Sequence, residues 1–125
     1  MNNLLAIAAG GALGSVLRYG LGGAVTRIAG GGFPWGTLVV NALGSFAFGL
    51  LAYWLAERVP AESALRAFLL VGLLGAFTTF STFSFETLGL LQQGEATKAL
   101  ANMLVSVLLC VALTWTGFML AREFF

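Results

Sequence analysis

Four long stretches without a charged residue make up most of this sequence and limit the folds that it can adopt. They cover residues 1–17, 28–56, 67–85 and 99–121. Each is close to or above the roughly 18 residues that a helix needs to cross the hydrocarbon core of a bilayer. Of the 125 residues, 59% are hydrophobic and only 9% are charged, which is far from the composition of an average soluble domain. The sequence therefore predicts an all-α integral membrane protein with four transmembrane helices.

The residues between these stretches predict where the spans begin and end. Helices are expected over residues 3–25, 35–56, 63–91 and 96–121, and together they form one transmembrane domain over residues 1–125. Pro34 suits the first turn of the second helix. The loop around Pro60 carries charged residues on both sides, as a short solvent-exposed connection does.

The third stretch alternates hydroxyl and phenylalanine side chains. Residues 77–87, at the end of this stretch and just beyond it, contain six hydroxyl residues and four phenylalanines: Thr78, Thr79, Ser81, Thr82, Ser84 and Thr87, with Phe77, Phe80, Phe83 and Phe85. A hydroxyl group without a partner away from water costs on the order of a few kcal/mol. So many hydroxyls favour a water-filled or ion-filled path, and the alternative is a helix–helix interface joined by hydroxyl groups. A stripe of phenylalanines at helical spacing is ordinarily a packing surface.

The third helix is expected to break near its middle, between Gly75 and Thr79. Gly72 and Gly75 remove side-chain packing, and the Thr78-Thr79 pair offers hydrogen bonds that compete with the helix. A helix broken at membrane depth exposes carbonyl oxygens, and these can hold a cation.

Polar residues also fall within the other predicted spans. Arg18 follows Gly10-Gly-Ala-Leu-Gly14, a spacing that permits close helix packing. Its side chain either reaches the membrane interface or attracts anions near a pore mouth. Asn41 needs a partner in lipid, so it is either an interhelical hydrogen-bonding group or a donor lining a pore. The last span has a polar stripe at four-residue spacing, formed by Asn102, Ser106, Cys110 and Thr114.

Charge and composition exclude several classes of function. The net charge is +1 without a basic cluster, which argues against nucleic-acid binding. Histidine is absent and Cys110 is the one cysteine, so an intrachain disulfide is impossible and a His/Cys metal site is not expected. An enzyme is not expected either, because no nucleophile has a base in reach.

Basic residues are divided almost evenly between the two sides of the predicted bundle. One side receives Arg58, Arg66 and Arg122, and the other receives Arg27 and Lys98. The positive-inside bias is therefore nearly absent, and the chain is expected to insert in both orientations. Two oppositely oriented copies would pair about an axis in the membrane plane, as inverted repeats do. A unit of four helices leaves little interior for a pore, which also favours association.

Three motifs resemble those of the Fluc (CrcB) family of fluoride channels. They are Gly72-x-x-Gly75-x-x-Thr-Thr-Phe-Ser-Thr-Phe-Ser-x-Glu86, Gly36-Thr-Leu-Val-Val-Asn41 and Gly14-x-x-x-Arg18. The resemblance covers essentially the entire chain, including the number of spans and the loop lengths. It implies an antiparallel dual-topology homodimer in the cell inner membrane, with two pores that let fluoride leave the cytoplasm and one central structural Na⁺.

The resemblance also implies which residues form these sites. The fluoride pore would be lined by Asn41, Phe80, Phe83, Ser81, Thr82, Ser106, Thr114 and Arg18. Gly75 and Thr78 of both subunits would offer backbone carbonyl oxygens to Na⁺. Cys110 departs from the expected hydroxyl donor in the polar stripe of the last helix, because a thiol donates only weakly.

Two other classes of membrane protein share some of these features. A proton-coupled small multidrug transporter can also be a dual-topology dimer of four-helix chains, but it needs a buried carboxylate in its first helix. The first helix here has Arg18 and no acid, and Glu86 is the only carboxylate near a polar span. A structural membrane subunit would explain the hydroxyls as interhelical bonds, but not their alternation with phenylalanine.

Overall fold

Five helical segments make up the structure, a computed structural model that describes residues 2–125. They are α1 (Asn2–Ala29), α2 (Trp35–Ala56), α3 (residues 64–77), α4 (Phe80–Gln92) and α5 (Ala96–Phe124). The segments α3 and α4 form one span, Ala64–Gln92, and the four resulting spans are each long and apolar enough to cross a membrane. The described residues contain no strand. The predicted all-α class with four membrane-spanning helices is confirmed.

The third span is interrupted at Thr78 and Thr79. Their backbones are extended, with φ −83° and ψ 154° at Thr78 and φ −149° and ψ 108° at Thr79. The new helix begins at Phe80, and the hydroxyl of Thr79 caps it by accepting a hydrogen bond from the Thr82 N–H at 3.2 Å. The interruption lies within the interval expected from the sequence.

The part of α3 before the break is wider than an α-helix. Residues Ala67–Leu74 form a π-helix between the short α-helical turns Ala64–Arg66 and Gly75–Phe77. The π-helix is rare and appears mostly as single-turn bulges, which occur often at functional sites, so a stretch of eight residues is unusual. No feature of the sequence had predicted this one.

Two helices run beyond their expected ends. The helix α1 continues to Ala29, where residue 25 was expected, because residues 26–29 include neither glycine nor proline. The hydroxyl of Thr26 bonds the Gly22 carbonyl within the helix, and Gly30 then ends it with a φ of +87°. The helix α5 likewise continues past residue 121 to Phe124.

The helices pack in two close pairs through glycine. A Cβ on Gly14 of α1 would lie 2.2 Å from the Leu73 carbonyl oxygen of α3. A Cβ on Gly49 of α2 would lie 2.0 Å from the Thr114 carbonyl oxygen of α5, and a Cβ on Gly117 of α5 would lie 2.3 Å from the Phe46 carbonyl oxygen of α2. Small residues of this kind let helix backbones touch in a membrane. One pair thereby fixes α3, which precedes the break, against α1, and the other fixes α2 against α5.

Candidate ion-conduction site

A groove of about 410 Å³ lies between α2, α4, α5 and the break. We call it the phenylalanine groove, and its lining includes Asn41, Phe80, Phe83, Ser106, Cys110 and Thr114. Five of the predicted pore residues therefore come together from three helices. The lining contains amide, hydroxyl and aromatic groups, and in the described part of the chain no carboxylate lines it.

Two aromatic rings stand at the start of α4 in this groove. The ring centroids of Phe80 and Phe83 are 5.3 Å apart, with the planes tilted by 49°. Phe83 is 8% exposed, whereas Phe80 is 75% exposed on the single chain. The edge of a phenyl ring carries partial positive charge. Paired rings of this kind can therefore stabilise an anion without a full charge.

The side-chain amide of Asn41 joins α2 to the break. Its Nδ2 donates to the Thr79 carbonyl oxygen at 3.1 Å, and its Oδ1 accepts from the Thr79 N–H at 2.7 Å. The interhelical hydrogen bond considered from the sequence is therefore present. The same half-buried side chain lines the phenylalanine groove, so the two roles considered for Asn41 are compatible.

Hydroxyl groups along the groove donate to partners within the protein. Ser106 donates to Oδ1 of Asn102 at 3.2 Å, and Nδ2 of Asn102 donates to the Thr87 hydroxyl at 2.9 Å. Thr114 donates to the Cys110 carbonyl oxygen at 2.9 Å. An anion in the groove would have to replace these acceptors before the hydroxyl groups could donate to it. Asn102 is 2% exposed, and although it belonged to the predicted polar stripe, it was not among the predicted pore residues.

The break frees the two carbonyl groups that were expected to hold a cation. In a continuous α-helix the Gly75 carbonyl accepts from Thr79 N–H, and the Thr78 carbonyl accepts from Thr82 N–H. Here Thr79 N–H donates to Asn41, and Thr82 N–H donates to the Thr79 hydroxyl. Neutral carbonyl oxygens of this kind suit a small hard cation.

A second cavity, of about 600 Å³, lies between α1, α2 and the start of α4. We call it the arginine cavity, because Arg18 and Arg27 both line it. Arg18 does not simply extend to an interface, since its Nε donates to the Ala76 carbonyl oxygen at 2.9 Å. Thr82 also lines this cavity, and Thr79 lines both cavities. The structure thus places Arg18 and Thr82 outside the phenylalanine groove.

Ser81 lies outside both cavity linings. Its side chain is exposed, and its Oγ is 3.4 Å from the Thr79 hydroxyl. Glu86, in the middle of α4, accepts a short hydrogen bond from the Thr37 hydroxyl. It lines a third and smaller cavity of about 250 Å³. The one carboxylate near the polar span is therefore separate from the phenylalanine groove.

Comparison with known proteins gives matches along nearly the whole chain. The family model described as "CrcB-like protein, Camphor Resistance (CrcB)" matches residues 5–118. A protein of Magnetococcus marinus is 55% identical over 116 residues, which cover 93% of this chain and 94% of that protein. A protein of Hydrogenovibrio crunogenus is 50% identical over 98% of this chain and 92% of its own length. A protein of Thermus thermophilus is 52% identical over 96% of this chain and 95% of its own length. All three are named fluoride-specific ion channel FluC.

Proposed function

Since this chain belongs to the CrcB-like family, we propose that it is a passive fluoride-selective channel that lets fluoride leave the cytoplasm and so lowers its toxicity. The observation that carries the proposal is the phenylalanine groove, where two aromatic rings, an amide and hydroxyls meet without a carboxylate. The relatives bear the name of an ion channel, which confirms that the chain is not an enzyme. A multi-pass membrane protein fits this function, and we place it in the cell inner membrane.

The chemistry of the groove suits a small and tightly hydrated anion. A path for fluoride must replace its water with hydrogen-bond donors, and it must avoid a fixed charge that would hold the ion. We propose that Asn41, Ser106 and Thr114 supply donors, while Phe80 and Phe83 present their ring edges. Ser81 and Thr82 would serve at the entrance to this path, and Arg18 would attract anions into the arginine cavity.

We propose that a second copy in the opposite orientation completes the channel. Phe80 is three-quarters exposed at the open side of the groove, and a large aromatic ring beside polar groups is suited to burial against a partner. The nearly balanced basic residues permit both orientations. An antiparallel homodimer would contain two equivalent grooves and therefore two pores.

We further propose that a structural Na⁺ joins the two breaks. The freed carbonyls of Gly75 and Thr78 would contribute two oxygens from each subunit. When bound, the ion would hold the two chains together and add positive potential near the pores. It would not be transported.

The alternative of a proton-coupled small multidrug transporter is not retained. The relatives carry a fluoride-channel name, and that transporter class needs a carboxylate in its first membrane helix. Here α1 contains Arg18 in its membrane-spanning part and no acid.

The proposal is tested by fluoride efflux from liposomes that contain the purified protein. With valinomycin to balance charge, a fluoride electrode should record release that exceeds chloride release by more than about a hundredfold, which is roughly 2.7 kcal/mol of discrimination. Protein-free liposomes supply the background rate. Equal leakage of both halides would contradict a fluoride-selective channel.

Cys110 offers an independent test of whether ions pass through the phenylalanine groove. It is the one cysteine of the chain, it is half-buried, and it lines the groove. The Cys110 thiolate is expected to attack a small water-soluble methanethiosulfonate reagent, which forms a mixed disulfide, releases methanesulfinate and reduces fluoride efflux to below about a tenth. The variant Cys110→Ser should conduct fluoride and resist the reagent. If wild-type efflux is unaffected despite complete labelling, the path does not pass Cys110.

A further inference from the structure

The break in the third span is held by side chains from both α1 and α2. Arg18 of α1 donates to the Ala76 carbonyl oxygen, just before the break. Asn41 of α2 bonds both the N–H and the carbonyl of Thr79, within the break. Three backbone groups, one just before the interruption and two within it, thus have partners on neighbouring helices.

The contact made by Arg18 replaces a helical hydrogen bond. In a continuous helix the Ala76 carbonyl would accept from Phe80 N–H, but Phe80 begins the new helix α4. The half-buried guanidinium supplies a charged donor instead, and charge-assisted hydrogen bonds are stronger than neutral ones. It also lies at the C-terminal end of α3, where a positive charge is favourable to the helix dipole. The extended backbone at residues 78–79 therefore has support from within a single chain.

The face of α3 that Arg18 contacts differs from the face around Gly75. One turn before Ala76, Gly72 is packed against α1, and a Cβ there would lie 2.7 Å from the Ile7 carbonyl oxygen. A Cβ on Gly75 would meet only the Leu70 carbonyl oxygen of its own helix, at 3.5 Å. The surface of α3 that faces α1 is covered by packing and by Arg18, whereas the surface at Gly75 is exposed.

We propose that Arg18 is a positioning residue that preorganises the carbonyl groups at the break. By binding Ala76 it holds Gly75 and Thr78 in the geometry that a cation would need, without contacting the cation itself. This role is separate from attracting anions into the arginine cavity. The part of the inference that concerns Na⁺ rests on the proposed function, whereas the hold on the break does not.

The test compares Arg18→Met with Arg27→Met in the full chain in lipid nanodiscs. Both substitutions remove one positive charge from the arginine cavity, but only Arg18 bonds the break. Hydrogen–deuterium exchange over residues 75–82 is measured in choline buffer without Na⁺. Losing the bond from Arg18 is expected to speed exchange there about tenfold, and Arg27→Met should leave it unchanged.

A Na⁺ titration of the same exchange gives the second measurement. The midpoint for Arg18→Met should rise about tenfold, because the competent break conformation is less populated before Na⁺ binds. If Arg18 acted only through its charge, its removal would lower the midpoint by relieving repulsion of the cation. Arg27→Met would then shift the midpoint in the same direction. That result, or unchanged exchange without Na⁺, would overturn the proposal.

A conservative variant keeps the inference testable if Arg18→Met does not fold. Arg18→Lys retains the charge but places its ammonium differently from Nε, and it should still speed exchange at least about threefold. Wild-type exchange that is insensitive to Na⁺ would count against the structural ion of the proposed function. The comparison without Na⁺ would still decide whether Arg18 positions the break.

Discussion

Replacing Asn41 by leucine is expected to reduce fluoride efflux by at least about a hundredfold. The change removes two hydrogen bonds to the backbone of Thr79 and one amide from the phenylalanine groove. Each backbone group left without a partner in a half-buried site costs about 1–3 kcal/mol, and about 2.7 kcal/mol corresponds to a factor of a hundred. The break adjoins Phe80, so its distortion would also misplace the first aromatic ring. Liposome efflux with a fluoride electrode measures the loss.

A second substitution at this position keeps one of the two bonds to the break and adds a charge to the groove. Asn41→Asp keeps an oxygen that can accept from Thr79 N–H, but it loses the Nδ2 donor and adds a negative charge. We expect this variant to fold, as judged by a monodisperse gel-filtration peak, and to lose efflux as severely, because a fixed negative charge repels the anion. Thr116→Ala is the matched control, since that hydroxyl bonds only its own helix on an exposed face. Wild-type efflux in both Asn41 variants would remove this residue from the path.

The parts of the fold that were predictable depend on local chemistry. The length of each charge-free stretch predicted the four spans, because every residue in the bilayer core must suit the same apolar environment. The break was predictable because glycines and adjacent threonines weaken the helix over a few consecutive residues. The prediction of where α1 ends was less accurate, because the Thr26 hydroxyl donates to a carbonyl of its own helix and so does not interrupt it.

The division of the candidate site into two cavities was not predictable, because it depends on contacts between distant residues. Arg18 and Ala76 are 58 positions apart, and helical spacing tells which residues share a face but not which helix that face meets. For the same reason Thr82 was grouped with Phe80 and Phe83, although it faces the arginine cavity. Asn102 could have been included among the site residues from the sequence, since it begins the stripe at four-residue spacing. In the structure it accepts the hydrogen bond of the Ser106 hydroxyl.

Replacing Phe80 by isoleucine is expected to lower fluoride efflux about tenfold and to leave the assembly intact. Isoleucine keeps an apolar side chain but has no ring edge. Edge contacts between aromatic rings are worth about 0.5–1.5 kcal/mol, and we expect a loss of that order where the edge would meet the anion. Phe80 is 75% exposed on the single chain, so its removal disturbs little packing within that chain. Efflux and gel filtration on the same preparation separate a loss of conduction from a loss of assembly.

Phe85→Ile is the matched control, because Phe85 lies on the same helix and is 77% exposed but does not line the phenylalanine groove. Its efflux should stay within about twofold of wild type, since it contributes no ring edge to the path. Phe83→Ile should also slow efflux, but Phe83 is 8% exposed, so part of that loss would come from weaker packing. The contrast between Phe80 and Phe85 is therefore the sharper one. Equal effects at these two exposed rings would mean that phenylalanine on α4 serves contact with lipid or a partner chain, and that the anion takes another route.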